Sequence, residues 1–416
     1  MTPQALLVLI LGIISAEFIF EMVLDYLNYV HHPTEPPSAL RDVYDPEQYR
    51  QSLAYHRANA RFGFLSDSFS FLLSFLLLAL GGFGWLHQVV SQWWIAPIPQ
   101  SLAFFALVFV LSDGISLPFQ LYRTFVVEER FGFNKTTVRT FFLDKLKSYG
   151  IGAVLGAPLL GLFVWLMLSL GAGFWVYFWV AISAFMVFIS LFYTTLILPL
   201  FNKLSPLPEG ELRQAIEEFA RQVRFPMANV YVIDGSKRSA KANAFFSGLG
   251  ARKKIVLYDT LISSCTTEQL VAVLAHEVGH YKRNHMVRSM TLSVLQSGVM
   301  LYLLSFFVFS PALSQALGSP EWAIPLNLIA FGILYGPVSK IIGLGMNILS
   351  RRQEFEADAF AAAAYGAQHL SEALKKLSVN NLSHLTPHPA YVYYHYSHPP
   401  LAQRLSALQR QEIKFT

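Results

Sequence analysis

Apolar residues along this chain are gathered into blocks of about 20, the length that an α-helix needs to cross a bilayer. Polar segments separate the blocks, and two of these segments are long enough to form a domain. The pattern predicts an α-helical polytopic membrane protein with a polar domain outside the bilayer. The seven predicted spans lie at residues 4–29, 64–88, 101–122, 149–170, 174–198, 287–310 and 324–348.

The two long polar segments divide the chain into four parts. Residues 1–198 contain the first five predicted spans with their loops, and residues 287–348 contain the last two. The polar segments are residues 199–286 and 349–416. Because only a hairpin of two spans separates them, both emerge on the same side of the membrane and can meet in one domain.

Lysine and arginine alternate among the connections between spans. Loops 30–63 and 123–148 carry several of them, whereas 89–100, 171–173 and 311–323 carry none. The positive-inside rule then places the N-terminus outside and the C-terminus in the cytoplasm. The membrane would be a bacterial inner membrane or the endoplasmic reticulum, according to the source. No positively charged stretch precedes the first apolar block, which predicts an uncleaved first helix.

Charged residues inside the spans show that the helices do not face lipid on all sides. Glu17, Glu21 and Asp25 are spaced four residues apart and share one face of the first helix. Three carboxylates on one face are too costly to expose to lipid. Asp67 and Asp113 lie in or near later spans, and Lys340 lies in the last one. Two arrangements are open and do not exclude each other: internal ion pairs in a tight bundle, or a water-filled space between the helices.

The composition agrees with a membrane protein and excludes some other classes. Hydrophobic residues make up 54% of the chain and charged residues 14%, well below the usual quarter. The net charge is +5, but the positive residues are not gathered into one patch, so we expect no nucleic-acid partner. A single cysteine, Cys265, excludes a disulfide framework and a cysteine-based metal site.

The first long polar segment reads as a small α/β unit. Short β-branched and aromatic runs bounded by turn residues are typical of strands. We expect a linker at 199–208, a helix at 209–223, strands at 230–233, 242–247 and 254–258, and a hairpin connection at 248–252.

A helix that follows these strands carries the clearest chemical motif. Thr266 and Gln269 form a capping box that can begin the helix. His276 and His280 lie four residues apart, so their imidazoles project from one face and can bind the same zinc ion. Glu277 lies beside them, placed to take a proton from a metal-activated water. The motif predicts a metalloprotease domain with one Zn²⁺ per chain.

A third zinc ligand is expected beyond the last span. The position that would carry a third histidine in metzincins is Met286. His285 is one residue short and would point elsewhere on a continuing helix, so we expect it to be a supporting or surface residue. Glu354 and Asp358 lie one helical turn apart, so one can bind the metal while the other supports a ligand histidine. Glu356 would point away from that face.

The whole set of motifs resembles the CAAX prenyl protease type 1 family of membrane zinc endopeptidases. The resemblance starts with His276-Glu277-Val278-Gly279-His280 followed by Ser350-Arg351-x-x-Glu354-x-x-Ala357-Asp358. It extends from the second span nearly to the C-terminus. Other similar stretches are Glu128-Glu129-Arg130-Phe131-Gly132-Phe133-Asn134-Lys135, Asn243-Ala244-Phe245-Phe246, and Ser397-His398-Pro399-Pro400 with Arg404.

The resemblance implies more than the spacing does. It implies seven helices in a barrel around a large aqueous chamber, with the zinc site at its cytoplasmic side. It implies that Glu354 is the third ligand and Asp358 its supporting partner. It places Asn243 on an edge strand that pairs with the substrate backbone, His398 near the oxyanion, and Arg404 in support of the site. The acidic face of the first helix agrees with a wet chamber.

The expected reaction is hydrolysis of peptide bonds in membrane-associated proteins or peptides, with prenylated CAAX proteins as one candidate substrate and clearance of membrane proteins as the other. Three alternatives are weighed. A site-2-type protease would place the motif within a span, whereas here Lys282 and Arg283 follow it directly. A heat-shock-type membrane protease would have fewer spans. A channel, transporter or scaffold would not need the complete set of zinc residues.

Overall fold

The structure is a computed structural model that describes residues 1–415 except 32, 34, 38, 39, 226–229 and 248–253. Helices dominate it, and the strands form one small sheet. The strands are β1 (Leu204–Pro206), β2 (Val230–Ile233), β3 (Ala244–Ser247) and β4 (Lys254–Tyr258). The helices are α1 (Pro3–Val30), α2 (Pro46–Ala79), α3 (Gly82–Ser91), α4 (Pro97–Tyr122), α5 (Val138–Leu170), α6 (Phe174–Phe192), α7 (Leu198–Phe201), α8 (Glu211–Gln222), α9 (Asp259–Ser264), α10 (Thr267–Lys282), α11 (His285–Phe307), α12 (Pro311–Ala316), α13 (Ile324–Ala364), α14 (Ala367–Asn380), α15 (Pro389–His395) and α16 (Leu401–Phe415).

The predicted span at 64–88 is wrong as a single helix. A capping box at Asp45 begins α2 well before residue 64, so much of the polar loop is helical. The helix ends near Gly81, whose φ of 67° lies in the left-handed region that glycine adopts readily. Beyond it, a Cβ on Gly84 would lie 2.4 Å from the carbonyl carbon of Gly318. This close contact with a distant segment turns the chain into α3 and has no local sequence signal.

Helices α5 and α6 form a hairpin that contains the fourth and fifth predicted spans. A short helical turn at Gly171–Gly173 joins them within one long helical stretch, 138–201. The rings of Phe163 and Phe178 lie 5.0 Å apart, whereas 15 residues of straight helix would separate them by about 22 Å. The chain therefore reverses here. The six long apolar helical stretches found among the described residues thus contain five of the seven predicted spans in full, and most of the spans 64–88 and 287–310.

The long helices follow one another in a closed ring, in the order α1, α2, α4, α5, α6, α11, α13 and back to α1. Neighbours pack directly along their backbones except α2 and α4, which are linked through α3, the helical turn at 123–128 and ring contacts. Lys340 on α13 closes the ring by donating a hydrogen bond of 2.8 Å to Glu21 on α1. Aromatic pairs mark the other contacts in that order: Phe18 with Phe71, Phe69 with Phe119, Phe109 with Tyr149, Phe163 with Phe178, Trp175 with Tyr302, and Phe307 with Phe331.

The ring is hollow rather than a tight bundle. In a tight bundle each helix buries one broad face, but here at most 22% of the residues are buried in the 18-residue apolar window of each stretch. The helices therefore have an accessible inner face as well as an outer one. The acidic residues of α1 do include an ion pair, between Glu21 and Lys340, but this pair lies within a hollow ring and not in a tight bundle. The predicted seven-helix barrel around a chamber is confirmed.

The sheet lies in the polar domain with strand order β1-β2-β4-β3. Strand β2 is parallel to β4, and the other two pairings are antiparallel. The predicted strands 230–233 and 254–258 are confirmed with the same bounds, and the one at 242–247 begins at Ala244. Strand β1, which contains Pro206, lies in the predicted linker and was missed because proline in a short run argues against a strand. The hairpin connection 248–252 lies outside the described residues.

The predicted zinc-binding residues lie on two helices, α10 and α13, from separate parts of the chain. Helix α10 is buried along most of its length against α8, α13 and α14. Helix α13 has 41 residues, about twice the length that a bilayer requires, so its last turns continue out of the ring into the polar domain. The two polar segments therefore meet where α10 packs on the extension of α13.

Candidate metal centre

Helix α10 presents two imidazoles to one point. Its capping box is formed as predicted: the Thr266 hydroxyl accepts from the Gln269 amide, and the Gln269 side chain accepts from the Thr266 amide. The His276 and His280 side chains lie one turn apart on the same face. Their Nε2 atoms are 3.1 Å from each other.

Glu354 on α13 completes the cluster. Its Oε1 lies 3.2 Å from His280 Nε2, and its Oε2 lies 3.5 Å from His276 Nε2. The three potential ligand atoms all lie within 4.8 Å of one another, and the side chain of Glu354 is buried. In the described part of the chain these three residues form the one group that could hold a metal ion.

The contacts around the cluster fit a cation. His276 Nδ1 lies 2.8 Å from Asp358 Oδ1, and Arg404 donates two hydrogen bonds to the same carboxylate, at 2.8 and 2.6 Å. An ionised carboxylate only accepts, so His276 carries its proton on Nδ1 and presents a lone pair at Nε2. The Oε2 atom of Glu354 faces it, buried and without a hydrogen bond in the described residues, although the Arg404 guanidinium lies 3.4 Å away on another side. These two acceptors repel unless a cation lies between them.

The donor set fits zinc in particular. Two imidazole nitrogens and one carboxylate, with a fourth position left open, are the ligands of catalytic zinc in proteases. Arg404, on α16, also lies 3.4 Å from Glu354 and so contacts both carboxylates of the site. Its positive charge keeps them ionised, as zinc binding requires.

Behind His280 the structure shows His285 as a supporting residue, one of the two roles expected for it, through a contact that the sequence did not predict. His285 is buried, and its Nδ1 lies 2.9 Å from His280 Nδ1. The expectation that His285 would point elsewhere assumed a continuing helix, but the chain turns at Asn284, whose φ is 56°, and directs His285 back. Glu356 does lie off the zinc-facing side, as predicted, and contacts His285 Nε2 at 3.1 Å. The two residues are 71 positions apart in the sequence, so no local signal predicts their contact.

Eight residues singled out from the sequence come together around one cavity of about 840 Å³. Seven of them line it, and Asp358 lies directly behind His276. Asn243 is exposed just before the edge strand β3, and its carbonyl accepts a hydrogen bond from the Tyr258 amide. His398 is 66% exposed, with Nε2 3.4 Å from Glu354 Oε1.

Glu277 lies in the wall of this cavity, beside the histidines. Burial raises the pKa of its carboxyl above the ordinary value, the His276 and His280 imidazoles oppose that rise, and Glu354 adds to it. A carboxylate with a raised pKa is a stronger base, which suits it to accept a proton.

Gly279 sets the distance between α10 and α13. A Cβ at this position would lie 3.0 Å from both the Cα and the carbonyl oxygen of Ala357. We expect Gly279→Ala to gain about 1 kcal/mol in helix propensity but to lose about 1–3 kcal/mol by overpacking a backbone that cannot yield easily. The net result is a less stable protein with weaker zinc binding, measured by thermal unfolding and metal content.

The matched control for Gly279→Ala is Gly343→Ala on α13, where an added Cβ meets nothing within 4 Å. This variant should keep its zinc and should unfold at the same temperature as the wild type or at a slightly higher one, because the helix-propensity gain has no packing cost here. Retention of wild-type zinc affinity by Gly279→Ala would show that the helix spacing at this contact does not control the site.

Comparisons with known proteins agree over almost the whole chain. A family model described as "CAAX prenyl protease N-terminal, five membrane helices" matches residues 25–203, and one described as "Peptidase family M48" matches residues 206–412. The CAAX prenyl protease 1 homolog of Arabidopsis thaliana is 36% identical, covering 97% of this chain and 98% of the relative. CAAX prenyl protease 1 of Saccharomyces cerevisiae is 35% identical, covering 96% and 94%.

A solved structure gives the same result in three dimensions. The crystal structure of S. mikatae Ste24p matches with a TM-score of 0.92 and 34% identity, covering 97% of this chain and 99% of that one. The motif helix α10 packs in the polar domain and not in the ring, so a site-2-type protease is excluded. The chain belongs to the CAAX prenyl protease type 1 family and is an integral-membrane, multi-pass zinc metalloendopeptidase of peptidase family M48.

Proposed function

We propose that this zinc endopeptidase uses His276, His280 and Glu354 to hold the metal and Glu277 as the general base. The observation that most strongly supports this proposal is that the three ligand atoms lie within 4.8 Å of one another, beside Glu277, in the wall of a cavity of about 840 Å³. Such a cavity is large enough to enclose several residues of a peptide.

The chain's own groups divide the chemistry between them. Zinc supplies a Lewis acid that polarises the scissile carbonyl and acidifies water. Glu277 takes the proton of the attacking water and delivers it to the leaving amine. Asp358 accepts from His276 Nδ1 and so keeps Nε2 free for the metal, while Arg404 holds Asp358 in place. His398, exposed beside the cluster, donates to the developing oxyanion.

The substrate backbone binds along strand β3. This strand is at the edge of the sheet, and both its first residues and Asn243 line the cavity. An extended peptide can add to such an edge through main-chain hydrogen bonds. Binding of this kind reads the backbone more than the side chains, so we expect a modest sequence preference.

Prenylated CAAX proteins are the proposed substrate class. Relatives that match nearly the full chain carry the name CAAX prenyl protease 1, and the site adjoins the inner end of a hollow ring of membrane helices. Positive residues are concentrated in alternate loops, which supports an N-terminus outside and a C-terminus in the cytoplasm. The site then faces the cytoplasm, at the endoplasmic reticulum or the bacterial inner membrane according to the source.

The test compares two peptides with one enzyme. Purified protein is given a farnesylated CAAX peptide and its unprenylated twin, and kcat/KM is measured for both. Burial of only two methylene groups of the lipid is worth about 1.6 kcal/mol, so we expect a preference of about tenfold or more for the farnesylated peptide.

The other outcomes have distinct meanings. Equal cleavage of the two peptides would contradict the prenylated substrate class and support a broad role in clearing membrane peptides. Wild-type protein that binds no zinc and cleaves neither peptide would overturn the proposed roles of the metal ligands. The same pair given to Glu277→Gln controls for a contaminating protease.

A further inference from the structure

We propose that His285 and Glu356 form a relay that orients the zinc ligand His280. The proposal rests on the proposed function, because it takes His280 as a zinc ligand. His280, His285 and Glu356 belong to three different helices, α10, α11 and α13, which meet where α11 leaves the polar domain. In this relay His285 and Glu356 are positioning residues, since neither one is among the three residues whose ligand atoms converge.

The hydrogen-bond chain has one consistent direction. Glu356 lies 3.1 Å from His285 Nε2, and as a carboxylate it accepts, so His285 carries its proton on Nε2. The Nδ1 of His285 is then an acceptor, 2.9 Å from His280 Nδ1. His280 must donate from Nδ1, which leaves its Nε2 unprotonated and directed at the metal. The opposite direction would point a lone pair of His285 at the carboxylate.

Charge and burial hold this arrangement in place. Arg352 donates to Glu356 at 3.2 Å, and Arg288 lies 3.9 Å from the same carboxylate. Both guanidinium groups favour the ionised, accepting form of Glu356. The side chain of His285 is 3% exposed, so water does not compete for its two contacts. Its Nε2 is occupied by Glu356 and its Nδ1 by His280, which excludes His285 itself as a ligand.

The two ligand histidines are therefore oriented in different ways. His276 donates directly to Asp358, whereas His280 donates to a carboxylate through a second imidazole. Partners that fix the tautomer and the ring orientation of a ligand histidine typically account for about 10- to 100-fold in metal affinity. Loss of the relay should therefore weaken zinc binding by that factor and leave the ligands themselves intact.

The experiment compares two substitutions of His285 in the full-length protein, one that removes the hydrogen-bond acceptor and one that keeps it. His285→Leu fills the buried volume but offers no acceptor to His280. His285→Asn is smaller, but its Oδ1 lies close to the position of the histidine Nδ1 and can accept the same hydrogen bond. Zinc loss to a competing chelator and the visible spectrum of the Co²⁺-substituted protein are measured for both, with peptide cleavage as a third readout.

We expect His285→Leu to lose zinc about 10- to 100-fold more readily, with a changed Co²⁺ spectrum. We expect His285→Asn to retain an affinity and a spectrum close to those of the wild type. A merely structural role predicts the reverse order, because leucine preserves the packing and asparagine leaves a cavity. That order, equal loss in both variants, or no loss in either would overturn the proposal.

A second variant covers the case in which His285→Leu does not fold. Glu356→Leu changes a residue whose side chain is 29% exposed and leaves His285 in place, free to adopt either tautomer. We expect about a tenfold loss of zinc affinity here, and wild-type affinity would overturn the relay. Wild-type protein that binds no zinc at all would overturn the proposed function itself, and this failure is distinguishable because it does not depend on the variants.

Discussion

Glu277→Gln should lower kcat by about 10²- to 10⁴-fold, while the protein keeps one zinc per chain. Glutamine fills the same volume but cannot accept the proton of the attacking water. Glu277 lies in the cavity wall next to His276 and His280, and its carboxylate is not one of the three converging ligand atoms. The measurement pairs metal content with the cleavage rate of a farnesylated peptide.

Metal content makes this test specific. If Glu277→Gln loses both zinc and activity, the side chain supports the metal site, and its role as a base is not supported. If it keeps zinc and cleaves within about tenfold of the wild-type rate, another group takes the proton. Glu268→Gln is a matched control on the same helix, because Glu268 lies in the first turn of α10, outside the cavity lining.

The pH dependence of cleavage provides a second test of Glu277 as the general base. The base acts only when it is deprotonated, so cleavage should fall as the pH drops through its pKa. Burial raises the pKa of Glu277, and this places the acid limb above the ordinary range of a glutamate, while the cationic metal and the imidazoles oppose the rise. The limb should disappear in the residual activity of Glu277→Gln.

Local patterns in the sequence were sufficient wherever the physical cause is local. The capping box at Thr266, the four-residue spacing of His276 and His280, and the strands β2 and β4 all depend on near neighbours along the chain. Apolar blocks of membrane-spanning length are equally local, which is why six of the seven predicted spans each correspond to one helix and only the span 64–88 is divided between two.

Features that depend on distant contacts were not predictable in the same way. The break before α3 follows from the contact of Gly84 with Gly318, more than 230 residues away. The return of His285 toward His280 depends on the left-handed backbone conformation of Asn284. Asparagine adopts this conformation more readily than most residues, but its presence does not by itself predict a turn. Spacing also left Glu354 and Asp358 interchangeable, because residues one turn apart share a face. The resemblance to the family, and not the spacing, assigned the ligand role to Glu354.

The second large effect that we expect is the loss of zinc affinity and cleavage when the carboxylate of Glu354, and not that of Asp358, is replaced by an amide. Glu354 faces the Nε2 atoms of both histidines, whereas Asp358 faces Nδ1 of His276 and two nitrogens of Arg404. Glu354→Gln should therefore remove a ligand and lower zinc affinity by more than the factor of about 100 that the loss of a supporting residue can cost. Cleavage should fall to background, as measured beside metal content after dialysis.

Asp358→Asn is the matched control, since it makes the same carboxylate-to-amide change one turn along the same helix. The asparagine has one accepting oxygen, which must serve either Arg404 or the Nδ1 proton of His276. His276 is then free to change tautomer in part of the population, so we expect a zinc affinity lower by about 10- to 100-fold, with cleavage restored by added zinc. Cleavage by Glu354→Gln should not be restored in this way. If the two variants exchange these behaviours, Asp358 is the ligand and Glu354 the supporting carboxylate, in contradiction to the geometry at Nε2.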